Sequence, residues 1–251
     1  MTIREAIRAE QKSMKDRSPK EKISYFLEYH GIKTACILIA VIVVITFIIS
    51  AVTRKESGYM GVFFGASVQK SAESYMNSFA QAAGIDTDVY ELTVQSYPDI
   101  QLDAAITQDV YQTMQGFTAM VTANMVDSIA ADADLFLYYS YLGYTADLRT
   151  VMTQEQLEEL GPWLRYIDGE LLRQLEESDD SSVDYTQYPD PADPTAMTDP
   201  IPVGIDLSGA STEFLKSYTF WVKDPVIGIC STSENTENAL AYLQYIFAQT
   251  S

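Results

Sequence analysis

Histidine is nearly missing. The chain of 251 residues holds one, His30, so the long C-terminal part has no Ser-His-Asp triad, no Cys-His pair and no histidine-bearing zinc site. Cysteine is almost as scarce, with Cys36 and Cys230 the only two. Only Cys230 lies beyond residue 55, so no disulfide forms within that part, which is long enough to bury a sufficient core without one. Basic residues are scarce there as well: from Glu56 to Ser251 there are six Lys/Arg against thirty Asp/Glu. Such a surface repels nucleic acid and anionic lipid and favours a basic partner or a bound cation.

Charge is absent altogether from Thr34 to Thr53, TACILIAVIVVITFIISAVT, a stretch bounded by Lys33 and by Arg54-Lys55. At about 1.5 Å per residue a helix of this length reaches roughly 30 Å, the thickness of a hydrocarbon core. The stretch is expected to be one transmembrane helix. It exceeds the apolar run of a signal peptide and has no small-x-small cleavage site, since Ile49-Ser50-Ala51 carries a bulky residue where a small one is needed. A lipoprotein cysteine would follow the run, whereas Cys36 lies near its start. An uncleaved anchor is therefore expected. Met1 to Lys33 holds eight Lys/Arg against five Asp/Glu, and the positive-inside bias then sets the N-terminus in the cytoplasm and the C-terminal part outside. Tyr25, Phe26, Tyr29 and His30 beside Lys20, Lys22 and Lys33 form an interfacial belt. The expected division is a basic cytoplasmic tail (1–33), the transmembrane helix (34–53) and an extracellular domain (54–251).

Within that domain, apolar runs alternate with helical periodicity. Strands are expected at Tyr59–Ala66, Thr87–Val94, Ala131–Tyr139, Trp163–Ile167, Pro202–Leu207 and Pro225–Cys230. A helix over Val68–Ala83 sets Ala72, Tyr75, Met76, Phe79 and Ala83 on one face and stops at Gly84. Thr107 caps a second helix running to about Ala130; Thr153–Leu160 and Thr212–Ser217 are shorter ones, and a last helix carries Ala239, Leu243, Ile246 and Phe247 inward. The pattern predicts an α/β fold with a mostly parallel sheet flanked by helices.

Residues 176–200 break it with four prolines and eight acidic residues. This is expected to be a solvated acidic loop. Asp180, Asp184, Asp190 and Asp193 match no calcium-loop spacing and lack its turning glycine. No metal site and no cofactor are expected. Tyr139, Tyr141, Tyr144 and Asp147 fall at or after the end of the expected third strand, where open α/β sheets bind ligands. They are the candidate ligand-binding residues, although tyrosines packing a helix on a sheet give the same pattern. Asp132 and Asp134 would share a strand face at its start, away from the ligand end. Cys230 reads as a packed core residue.

ADADLFLYYSYLGYTADL and VIGICSTSENTENALAYLQYIF resemble segments of extracellular solute-binding proteins of the type 2 periplasmic-binding fold. The KEKISYFLEYHGIK segment ahead of a single helix resembles membrane-anchored versions in Gram-positive bacteria. The resemblance implies a solute-binding lobe. Between Glu158 and Pro202 there is too little chain for the second lobe of 100 residues or more with which that family closes on its ligand, so about one lobe is expected. Two readings follow: a membrane-anchored extracellular domain binding a small ligand such as a sugar or peptide, or a non-catalytic accessory protein docking on a membrane or cell-wall partner. An enzyme, a hydrolase using two carboxylates, is the disfavoured third, and no catalytic residue is expected.

Overall fold

The computed structural model describes residues 55–177 and 188–248, with Lys20, 35–36 and 39–46. The chain divides into two compact units, Met1–Arg54 and Lys55–Ser251. In the first, residues 35–36 and 39–46 are helical, and the rest of the Thr34–Thr53 stretch lies outside the described residues, as does nearly all of the aromatic belt. Among the described residues no helix is long and apolar enough to cross a membrane.

In the second unit, β1 (Glu56–Phe64) is buried from Gly58 onward, because it lies inside a sheet covered on both faces. Alternate side chains feed two cores. Tyr59 and Phe63 pack with α1 (Ala72–Ala83) and, later in the chain, α6 (Thr212–Ser217) and α7 (Thr236–Phe247). Met60, Val62 and Phe64 pack with α2 (Gln108–Thr122) and α3 (Ala133–Tyr141). Aromatic rings fill both sides: Tyr59 and Tyr242 have centroids 4.5 Å apart, Phe117 and Tyr139 4.7 Å apart.

The remaining strands are β2 (Ala66–Val68), β3 (Tyr90–Tyr97), β4 (Ser128–Ala131), β5 (Leu164–Asp168), β6 (Pro200–Asp206), β7 (Tyr218–Phe220) and β8 (Val226–Ile229). Six form one sheet in the order β3-β1-β4-β8-β6-β5, and β2 pairs with β7 in a small antiparallel ribbon. β3, β1 and β4 are parallel, but β8 lies antiparallel between β4 and β6, and β5 is antiparallel to β6. The sheet is thus mixed, which corrects the expectation of a mostly parallel one: an apolar run such as VIGI reads the same in either direction.

Several helix and strand ends are where local chemistry sets them. Gly84 closes α1 at φ 70°, and the Thr107 hydroxyl accepts from Val110 N–H at 3.3 Å to start α2. Thr153 and Gln156 form a capping box on α4 (Gln154–Glu159). α2 stops well short of Ala130, because Asn124 turns left-handed at φ 57° and the chain enters β4. Of the face expected on α1, Ala83 is exposed.

The expected third strand is the main correction. β4 ends at Ala131, and Asp132 caps a helix, its Oδ1 accepting from the N–H groups of Asp134 (2.9 Å) and Leu135 (3.0 Å). LFLYY therefore belongs to α3, and its apolar run is long because Leu135, Phe136, Leu137, Tyr139 and Tyr141 are all buried on a helix pressed against the sheet. Phe136 fits only because the strands opposite carry glycine. A Cβ on Gly204 would stand 2.6 Å from its ring, and one on Gly228 2.7 Å.

Part of the acidic loop is held to the domain. Residues 178–187, with Asp180 and Asp184, lie outside the described residues. From Tyr188 the chain returns along β5, with Tyr166 N–H donating to Pro191 O at 2.9 Å. Asp190 and Asp193 each accept from a backbone N–H two residues on, so both act as turn formers. Asp168 fastens the segment. Its carboxylate accepts from Thr198, Asp199 and Glu170 N–H at 2.9–3.0 Å. Burial pushes this carboxyl up, but the converging N–H groups outweigh it and hold it below the usual range. α5 (Gly169–Glu177), which the sequence pattern did not reveal, starts directly after it.

Candidate functional site

Parallel strands β1, β3 and β4 end at one edge, and the segments leaving them shape a cleft. Gly65, at φ 63°, follows β1. Its N–H donates to Tyr97 O at 3.0 Å, and Trp221 N–H donates to its carbonyl at 2.9 Å. The Val222 side chain occupies the space that a Cβ on Gly65 would need, so the 221–224 loop is fastened against the ends of β1 and β3. The cleft measures about 530 Å³ and is lined by Asp99 and Leu102 after β3, Asp132 and Asp134 after β4, and Trp221 and Lys223 from the loop. Trp221 is 58 % exposed, an indole left available at a cleft wall.

Asp132 is the electrostatic centre of this edge. Its carboxyl is pushed up to about 6, mainly by burial and further by the Asp99 and Asp134 carboxylates, against the lowering effect of the Leu135 N–H. A folded-state value above the unfolded one means that the contribution of this group to stability is complete below about pH 4 and lost as pH rises through about 6. Asparagine caps a helix as well as aspartate does. Asp132→Asn is therefore expected to stabilise the protein at pH 7.5 by about 1–2 kcal/mol, with the difference closing at pH 4, in urea unfolding run at both values. An equal effect at both pH values would refute this account of the carboxyl.

These positions correct the expectation for Asp132 and Asp134, which stand at the carboxyl end of β4 and line the cleft. Asp99 and Trp221 were not singled out from the sequence. Asp99 follows a strand that runs three residues further than expected, and β7, which leads to Trp221, gives only a three-residue signal.

The tyrosine group lies elsewhere. Tyr139, 1 % exposed, meets Phe117 edge-on and stacks on Tyr144. Tyr141 is buried; its hydroxyl accepts from Asp168 N–H at 3.0 Å and its ring lies 4.0 Å from that of Tyr188. Tyr144 is half-buried, and its carbonyl accepts from Ser231 N–H. Asp147 caps a short 3-10 turn and pairs with Arg149 at 2.7 Å. Tyr139 and Tyr144 are brought together as packed rings; none of the four lines the cleft.

A buried carboxylate stands at the opposite end of β4. Asp127, 1 % exposed, accepts from Met60 N–H (2.8 Å), the Ser233 hydroxyl (2.6 Å), and Asn235 N–H (3.2 Å) and Nδ2 (3.3 Å). Its acceptors are committed to protein donors, so its role is structural. Nearby Cys230 is buried, its thiol pushed far up by burial and by the Asp127 carboxylate, which makes it a poor nucleophile. Among the described residues no group of three or more His, Cys, Asp or Glu side chains is placed to hold a metal ion. Comparison with known proteins finds no matching family model, no matching curated protein and no matching solved structure.

Proposed function

We propose that the chain is a membrane-anchored extracellular binding domain, with Thr34–Thr53 as its single spanning helix and the N-terminus cytoplasmic. Its α/β lobe takes a small ligand such as a sugar or short peptide. The observation that carries this reading is the cleft at the carboxyl ends of β1, β3 and β4, the position where open α/β sheets bind ligands. Trp221 offers a stacking face, and Asp99, Asp132 and Asp134 accept hydrogen bonds from hydroxyl or amine groups. The function is binding without catalysis: Asp132 Oδ1 is engaged in capping α3, and no histidine lies beyond His30.

The test is thermal denaturation of the full-length chain in detergent against panels of saccharides, amino acids and short peptides. At least one ligand is expected to raise Tm by several degrees, and Trp221→Ala to weaken its binding at least tenfold by calorimetry. If no panel member shifts Tm, or if the ligand found binds Trp221→Ala equally well, the reading fails.

A further inference from the structure

The two outer edges of the six-stranded sheet are treated differently. Along β5 the returning segment 188–199 supplies backbone partners, as in the bond from Tyr166 N–H to Pro191 O. β3 is the other edge, paired through β1 alone. Tyr97 O accepts from Gly65 N–H and Val89 O from Glu56 N–H, so odd-numbered residues turn their backbone groups toward β1. Because those groups alternate along a strand, Leu92, Val94 and Ser96 turn theirs outward. Among the described residues no backbone hydrogen bond reaches them.

Open edges are normally blunted by lysine, proline or a bulge. β3, YELTVQSY, has neither proline nor lysine, and the irregularity in its pairing lies on β1 between Ser57 and Tyr59. The stretch of chain that contains β3 carries one sign of charge. From Ser71 to Leu148 there is no Lys or Arg and there are eleven Asp/Glu; Glu73, Asp86, Asp88, Glu91, Asp103 and Asp109 among them are exposed. At this end of the sheet Lys55 Nζ donates to Thr87 O. A second copy of the chain would bring the same carboxylates against these, whereas a basic strand would neutralise them.

We infer that the outer edge of β3 is a docking strand for an extended, lysine- or arginine-bearing segment of a partner protein, which adds to the sheet through the backbone of Leu92, Val94 and Ser96. The acidic side chains on either side select for charge, and the backbone ladder supplies the pairing. This site is separate from the cleft and does not depend on it.

The test uses the full-length chain in detergent and a labelled eight-residue peptide alternating lysine and threonine, with its glutamate-threonine counterpart as control. The lysine peptide is expected to bind saturably by fluorescence anisotropy and to slow amide exchange at Leu92, Val94 and Ser96 at least tenfold. Val94→Pro, which deletes one outward N–H, is expected to weaken binding at least tenfold. So is Glu91→Lys combined with Gln95→Lys, which changes exposed side chains and decides the matter should the proline variant not fold. Trp221→Ala is expected to leave peptide binding unchanged. The inference is overturned if bound peptide leaves the three amides unprotected, if the glutamate peptide binds as tightly, or if Trp221→Ala abolishes binding. It is equally overturned if the three amides become protected on raising protein concentration alone, since the occupant would then be a second copy.

Discussion

Asp127→Ala is expected to destabilise the α/β unit by about 3–5 kcal/mol, a fall in Tm on the order of 10 °C for a unit of this size. The carboxylate is buried and takes four hydrogen bonds, one from β1 and three from the Ser233–Asn235 turn. Asn235 starts α7 without a side-chain cap of its own, so Asp127 serves the helix from another part of the chain. Its backbone N–H also donates to Met60 O, and its carbonyl accepts from Cys230 N–H. Alanine would leave the Met60 N–H and the Ser233 hydroxyl without acceptors in a closed interior, and the penalty for unmade bonds exceeds the net gain from made ones. Asp127→Asn keeps the shape but replaces an acceptor with a donor facing donors, and about 2 kcal/mol or more should be lost. Urea unfolding with an unchanged m-value is the measurement. A loss under 1 kcal/mol for the alanine variant would show that the network contributes little.

Phe136→Ala should be nearly as severe, at about 3–5 kcal/mol, since the ring is wholly buried and faces strands that cannot close over the gap. Gly204→Ala should cost about 1–3 kcal/mol alone, because its Cβ would stand 2.6–2.7 Å from two ring atoms of Phe136 and 2.7 Å from Val226 Cγ1. The two changes relieve one another. The double variant should lose at least about 1 kcal/mol less than the sum of the single ones, in a double-mutant cycle measured by urea unfolding. Strict additivity would mean that ring and glycine do not share the same space.

The sequence made β1, α1 and α7 legible because each carries a pattern that only one packing satisfies. Gly84 and Thr107 act as helix signals through chemistry within a few residues, and both behave as such in the structure. What escaped was nonlocal. ADADLFLYY contains a strand end, a cap and a helix start in nine residues, and nothing in an apolar run of five says whether it is buried on a sheet or as a helix pressed against one. The misplaced boundary then moved the tyrosines to a ligand edge and moved Asp132 and Asp134 away from it. The direction of β8 depends on its neighbours, not on its own residues. Asp127 looks like any acidic residue before a strand, since its partners Met60 and Ser233 are 67 and 106 residues distant. Asp99 and Trp221 meet only when the fold is complete.

β1 has a mechanical consequence. The chain enters the second unit at Lys55, one residue before β1 begins, and β1 ends at Phe64, beside the Gly65 carbonyl that holds the Trp221 loop. Tension applied at Lys55 would therefore pull β1 lengthwise, along a strand bonded to β3 on one side and β4 on the other. Hydrogen bonds lying across the strands resist such a pull together, in shear, where a load applied across them would break them one at a time. The same strand would carry such a load from Lys55 to the rim of the cleft, so traction at Glu56 would be felt at Trp221 before it reached the antiparallel half of the sheet.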